Sequence, residues 1–123
     1  MVTRMSNKVY MGDNGFIYVE YIGDQNATTL EQTIQKVDKV INEVKSQNKP
    51  ALVVCDISKV TKHDAGARKV GSEALNTLHY DKFAICGGNF FLRSIASILV
   101  KATGKSNVSV FKTQEEAVRW LKS

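Results

Sequence analysis

With 123 residues, 43% of them hydrophobic and 24% charged, the chain is expected to be one compact domain with a core of its own, running from 1 to 123 with its structured part at about 8–122. No apolar run approaches the roughly 18 residues of a membrane span, and there are no repeats, low-complexity tracts or linkers. The formal charge of +5 is uneven: between Lys59 and Lys112 nine bases face three acids, Asp64, Glu73 and Asp81. That field suits an anionic partner or lipid surface, or else a solvated basic surface, since no basic cluster exceeds two in a row.

The opening MVTRMSNKVY has no apolar core segment, so no signal peptide is expected. Lys8 to Met11 and Phe16 to Ile22 flank Gly12-Asp13-Asn14-Gly15, which reads as a hairpin turn. Phe16 to Ile22 is aromatic and β-branched, a strand, and Gly23-Asp24-Gln25-Asn26 is expected to end it. A helix from about Thr29 to Gln47 follows, with Leu30, Ile34, Val37, Ile41 and Val44 on one face. Its expected capping boxes are Thr28 with Glu31 or Thr29 with Gln32.

Ala51-Leu52-Val53-Val54-Cys55 is apolar without interruption. A strand apolar on both faces must be covered on both, so it reads as central and parallel. Asp56 ends the run, and a polar loop is expected to lead to Asp64, a helix N-cap. The second helix, about Asp64 to Leu78, would turn Ala67, Val70, Ala74 and Leu78 inward. Gly66 and Gly71 each cost about 1 kcal/mol against alanine in a helix interior. Close approach to another backbone or to a ligand would offset that, as would tight packing on the sheet. Lys82 to Cys86 is a short strand, and Gly87-Gly88-Asn89 turns into a third helix, Phe90 to Ala102. Its apolar arc is wide: Phe91, Ile95 and Ile98 on one stripe, Leu92, Ala96 and Leu99 beside it. Such a helix is buried between sheet and neighbour, or lines a pocket, or forms a dimer surface. Gly104 stops it. Asn107 to Phe111 is a strand, and Thr113 with Glu116 caps a last helix to Lys122, facing Ala117, Trp120 and Leu121 inward. The alternation argues an α/β fold: one mixed, mostly parallel five-stranded sheet with four helices, the first strand an antiparallel edge.

Several stretches resemble the SpoIIAA-like group of STAS domains, also described as STAS/SEC14-like. They are Leu52-Val53-Val54-Cys55-Asp56-Ile57, Asp64-Ala65-Gly66-Ala67-Arg68, Tyr80 to Ile85, and the ending Val110 to Leu121 with its VF-x-T-x-EEA-x-x-WL pattern. The resemblance spans about residues 10–122. It implies a mixed sheet covered by helices and no intrinsic catalysis; no cofactor is expected. Anti-anti-sigma members of the wider family are switched by phosphorylation of a serine at the start of the helix after the central strand. Here that place reads Asp64-Ala65-Gly66, without a hydroxyl; Ser58 and Thr61 come earlier. The SEC14 side of the resemblance implies a hydrophobic or lipid-like ligand.

Open α/β sheets place ligands beyond the carboxyl ends of their strands. One rim is therefore expected to collect Asp56, Ser58, His63, Asp64, Gly87, Gly88, Asn89 and Arg93, with Phe91 beside it on the third helix. It serves as a binding cleft, or else the same residues are caps and turns. A hydrolase-like use of Ser58, His63 and Asp56 or Asp64 needs a nucleophile and base in contact. A metal site lacks paired ligand spacing among Cys55, Cys86, His63 and His79, and both cysteines read as buried, reduced thiols of a cytoplasmic protein. Nucleic-acid binding lacks aromatics interleaved with bases on an exposed face. The expected role is a non-catalytic module that binds a partner protein or small apolar ligand through its second and third helices. A homodimer and association with a membrane surface are the alternative uses of the third helix.

Overall fold

The computed structural model describes residues 6–123; the expectation of no leader falls partly on residues 1–5, outside them. The elements are β1 (Lys8–Met11), β2 (Ile17–Gln25), α1 (Ala27–Ser46), β3 (Leu52–His63), α2 (Ala65–Thr77), β4 (Lys82–Cys86), α3 (Phe90–Thr103), β5 (Val108–Phe111) and α4 (Gln114–Lys122). The strands form one sheet in the order β1-β2-β3-β4-β5. β1 pairs antiparallel with β2, and the other three pairings are parallel. The expected architecture is the observed one, with β3 in the middle: Val53 and Val54 are fully buried on opposite faces.

Spatial order that follows chain order has a consequence. Each right-handed crossover steps the same way across the sheet, so its helix lands on the same face. α1, α2 and α3 accordingly share one face, over a core that includes Ile17, Val19, Val53, Cys55, Phe83 and Ile85. α4 is alone on the other, where Ala117 and Leu121 close over Phe16, Val54, Ala84 and Cys86. Lys82 lies over the Trp120 ring, 5.1 Å from its centroid, and donates to the Ser123 carbonyl at 2.8 Å, fixing the end of α4 to β4.

Four expectations are corrected. The polar stretch after Asp56 is strand, not loop: β3 continues to His63, pairing Lys59, Val60 and His63 with Ile22, Gly23 and Gln25. β4 ends at Cys86, opposite Asp56, so this half of β3 has a free edge. Lys59 and Lys62 occupy that half, and charge of this kind discourages strand addition. Its polarity, which suggested a loop, comes from burial on one side only. For the same reason β2 does not break at Gly23 but runs on to Gln25. α1 begins two residues earlier than expected, because Asn26 accepts from the Thr29 amide at 2.9 Å while the Thr29 hydroxyl accepts from the Asn26 amide. Finally, Val70 and Trp120 are half-buried rather than enclosed.

A polar knot that periodicity did not reveal joins β1, β2 and α1. Gln25 is buried, and its amide bonds to Asn7, the Ile22 carbonyl and the Thr29 hydroxyl at 2.9–3.0 Å. Asn7 also accepts from the Ile22 amide at 2.8 Å and donates to Thr33 at 2.9 Å.

Candidate functional site

The expected rim divides in two. Asp56, Ser58, Gly87, Gly88, Asn89 and Arg93 gather where β3 and β4 part. The Asp56 carboxylate accepts from the Ser58 amide at 2.8 Å. Gly87, at φ 85°, packs so close that a Cβ there would stand 2.9 Å from the Ser58 Cβ and 3.0 Å from the Asp56 carboxylate. Only glycine meets both demands. Asn89 caps α3 by accepting from the Leu92 amide at 2.8 Å, and Arg93 donates to the Gly88 carbonyl. Each of these groups is engaged in holding the turn. Phe91, 69% exposed, makes none of these contacts.

His63 and Asp64 lie elsewhere. Seven residues of extended chain separate His63 from Asp56, roughly 20 Å along the strand. Asp64 caps α2, accepting from the Ala67 amide at 2.8 Å. His63 Nδ1 meets Arg68 Nη1 at 3.0 Å. Arginine has no acceptor, so Nδ1 accepts and the imidazole proton is on Nε2. Ser58, five residues back along the same strand and oriented by Asp56, makes no hydrogen bond to either imidazole among the described residues. A nucleophile–base pair from Ser58 and His63 is thus not assembled. Among the described residues no three His, Cys, Asp or Glu side chains converge on a point fit for a metal ion.

The pocket expected as one use of the third helix is present, as a cavity of about 140 Å³ between the sheet and α1, α2 and α3; the part played by α1 and the sheet floor was not foreseen. Its floor is Val19, Tyr21, Cys55, Ile57, Val60, Phe83 and Ile85, and its walls are helical, among them Leu30, Val37, Leu75, Leu92 and Leu99. The small residues of α2 open it: Ala67, Gly71 and Ala74 all line it. Here the two helical glycines part company. A Cβ on Gly66 would meet the Ala27 Cβ at 3.3 Å, so Gly66 serves the close approach of α1 and α2. A Cβ on Gly71 would meet only Leu30, at an ordinary 3.5 Å; Gly71 leaves space that nothing else fills. The clue in the sequence was the run of small residues, though not which of them face a void.

The cavity has few polar groups. Burial pushes the Cys55 thiol and the Tyr21 phenol up, so both stay protonated. Gln25 is committed to the polar knot. His63 and Arg68 complete the lining. Arg68 and the outer face of α3 also border a shallow groove with Lys69, Ser72, Glu73, Ile95 and Ile98. α3 is not enclosed: of its residues only Ala96 is buried, while Phe90 is 79% and Ile98 67% exposed. Of the uses expected for α3, the structure gives it a pocket wall (Leu92, Ile95, Ala96, Leu99) and an uncovered apolar stripe.

A family model described as SpoIIAA-like matches residues 16–122. The chain belongs to the SpoIIAA-like family. Solved structures agree on the fold. A protein from the DUF3478 family of Shewanella loihica, described as having a SpoIIAA-like fold, superposes with a TM-score of 0.66 at 13% identity over 98% of both chains. The anti-sigma factor antagonist SpoIIAA in its unphosphorylated form superposes with a TM-score of 0.62 at 11% identity, over 96% of this chain and 99% of that one. No curated protein matches in sequence. In this SpoIIAA-like chain α2 opens with Asp64 and Ala65, so the helix start offers a carboxylate and no hydroxyl. Ser58 and Thr61 are strand residues of β3, and the Thr61 hydroxyl donates to Asp24 at 2.5 Å. No helix of the described residues is long and apolar enough to cross a membrane.

Proposed function

We propose that this SpoIIAA-like chain is a non-catalytic binding module whose ligand is a small apolar molecule held between the sheet and α1, α2 and α3. The observation that carries the proposal is the cavity of about 140 Å³, walled by aliphatic side chains and opened by Gly71. Close-packed cores leave few voids larger than a water molecule, and a dry apolar cavity near 150 Å³ accepts a ligand the size of benzene. The driving force is transfer of apolar surface from water into a preformed pocket, for which no reacting group is needed. The uncovered stripe of α3 leaves a surface for a partner protein beside the pocket, and Leu92, Ile95 and Leu99 belong to both the pocket wall and that helix.

The test is titration of the chain with benzene, followed by amide and methyl chemical shifts. Shifts clustered on the residues around Val19, Gly71 and Leu99, and their loss in a folded Gly71→Leu variant, are expected. Shifts scattered over the surface, or none at saturation, would refute the cavity as a ligand site.

A further inference from the structure

The chemistry at the mouth of the cavity is narrower than "apolar". We infer that the ligand is an aliphatic carboxylate, its chain in the cavity and its head group on Arg68. This deepens the reading of the cavity as a ligand site and rests on it.

Four polar side chains besides Cys55 line the space: Tyr21, Gln25, His63 and Arg68. Gln25 has both ends of its amide satisfied by Asn7, Thr29 and Ile22. Tyr21 is a neutral phenol in β2. His63 spends its acceptor nitrogen on Arg68. Arg68 is different. Its guanidinium carries five N–H donors and a permanent charge, and among the described residues its one hydrogen bond is the 3.0 Å contact to His63. The ion pair formed among the described residues is Lys59 with Glu20, at 3.4 Å, on another part of the sheet. Arg68 is half-buried on the first turn of α2, so its charge is partly withdrawn from water, and among the described residues no carboxylate lies within ion-pair distance of it, Glu73 only bordering the groove alongside. The His63 contact uses one donor and orients the fork.

A guanidinium fork matches a carboxylate through two parallel hydrogen bonds. One permanent cation balances one monoanion; a dianionic phosphate head would leave a charge uncompensated beside an apolar wall, which is costly. The space decides the tail. A cavity close to the size that admits benzene holds a chain of about six carbons. A saturated monocarboxylate of roughly six to ten carbons places its head at Arg68 and its remaining methylenes along Leu92 and Ile95.

The experiment is calorimetric titration of the full chain with octanoate, octanol and octylamine at one ionic strength, repeated on Arg68→Gln. Octanoate is expected to bind at least tenfold more tightly than octanol, with octylamine weakest, and Arg68→Gln is expected to cost octanoate about tenfold while leaving octanol unchanged. Octanol binding as tightly as octanoate would overturn the carboxylate assignment and leave the apolar cavity standing. No heat and no displacement of benzene by any of the three would overturn the cavity reading itself. The wild-type comparison of head groups needs no variant, so it decides the matter even if Arg68→Gln fails to fold.

Discussion

The two faces of the sheet are closed in different ways. One is roofed by three helices in a row, a direct result of β2, β3, β4 and β5 following one another across the sheet. The other is closed over β3, β4 and β5 by α4 alone, a helix of nine residues. The larger roof is the leakier one. Three helices spread over a twisted sheet diverge, and α2 meets the strands with Ala67, Gly71 and Ala74 where larger side chains would be needed to fill the gap. α4 comes down on Val54 and Ala84 through Ala117, all three fully buried, and Trp120 packs on Phe111 with ring centroids 5.3 Å apart. A small residue against a flat patch of small residues lets a helix come close and leaves no void; the same residues on a helix held off by its neighbours leave one. The face that looks better covered is therefore the one that holds the cavity.

That contrast can be broken most readily by truncation. Leu121 is enclosed beneath α4, so Leu121→Ala is expected to cost about 3 kcal/mol in chemical denaturation. Leu99 is half-buried and already borders the cavity, so Leu99→Ala should cost about 1 kcal/mol. Equal losses would mean that the two faces are packed alike. Overfilling gives the reverse test. Ala117→Leu has no room and should destabilise by about 2 kcal/mol. Gly71→Leu enters open space and gains helix propensity, so its melting temperature should stay level or rise.

A pH-dependent effect comes from the thiols, one on each face: Cys55 lines the cavity and Cys86 lies under α4. Burial, first, and then the Asp56 charge push Cys86 from 9.0 up to about 12; Cys55 is also raised, by burial and then by Cys86 and Asp56. A raised acid keeps its proton in the folded chain while the unfolded chain releases it. Stability is thus whole below pH 9 and declines as pH rises from there toward 12, by about 1 kcal/mol per thiol at pH 10. Denaturation midpoints at pH 7 and pH 10 check this, and a midpoint that does not move would show the thiols to be wetter than their burial implies.

Much of this was legible in the residues. The α1 stripe from Leu30 to Val44, the run Val53-Val54-Cys55, the cap of Thr113 with Glu116 and the stop at Gly104 are local patterns, and local patterns survive into the fold because side-chain period and capping chemistry depend on neighbours a few places away. Asp64 and Asn89 proved to be caps for the same reason. The second half of β3 was not legible. Ile57 to His63 is polar because one side faces water, and its strand character comes from pairing with β2, more than thirty residues distant. Nor was the site. Gathering His63 with Arg68, and both with a void lined from β2, β3, β4 and three helices, depends on contacts that no spacing in the chain encodes.

By itself the sequence determined the elements, their alternation and hence the family, because hydrophobic period and turn chemistry act over a single turn or strand. Only the tertiary structure decided where packing fails, since a cavity belongs to no residue and exists only between elements brought together from across the chain.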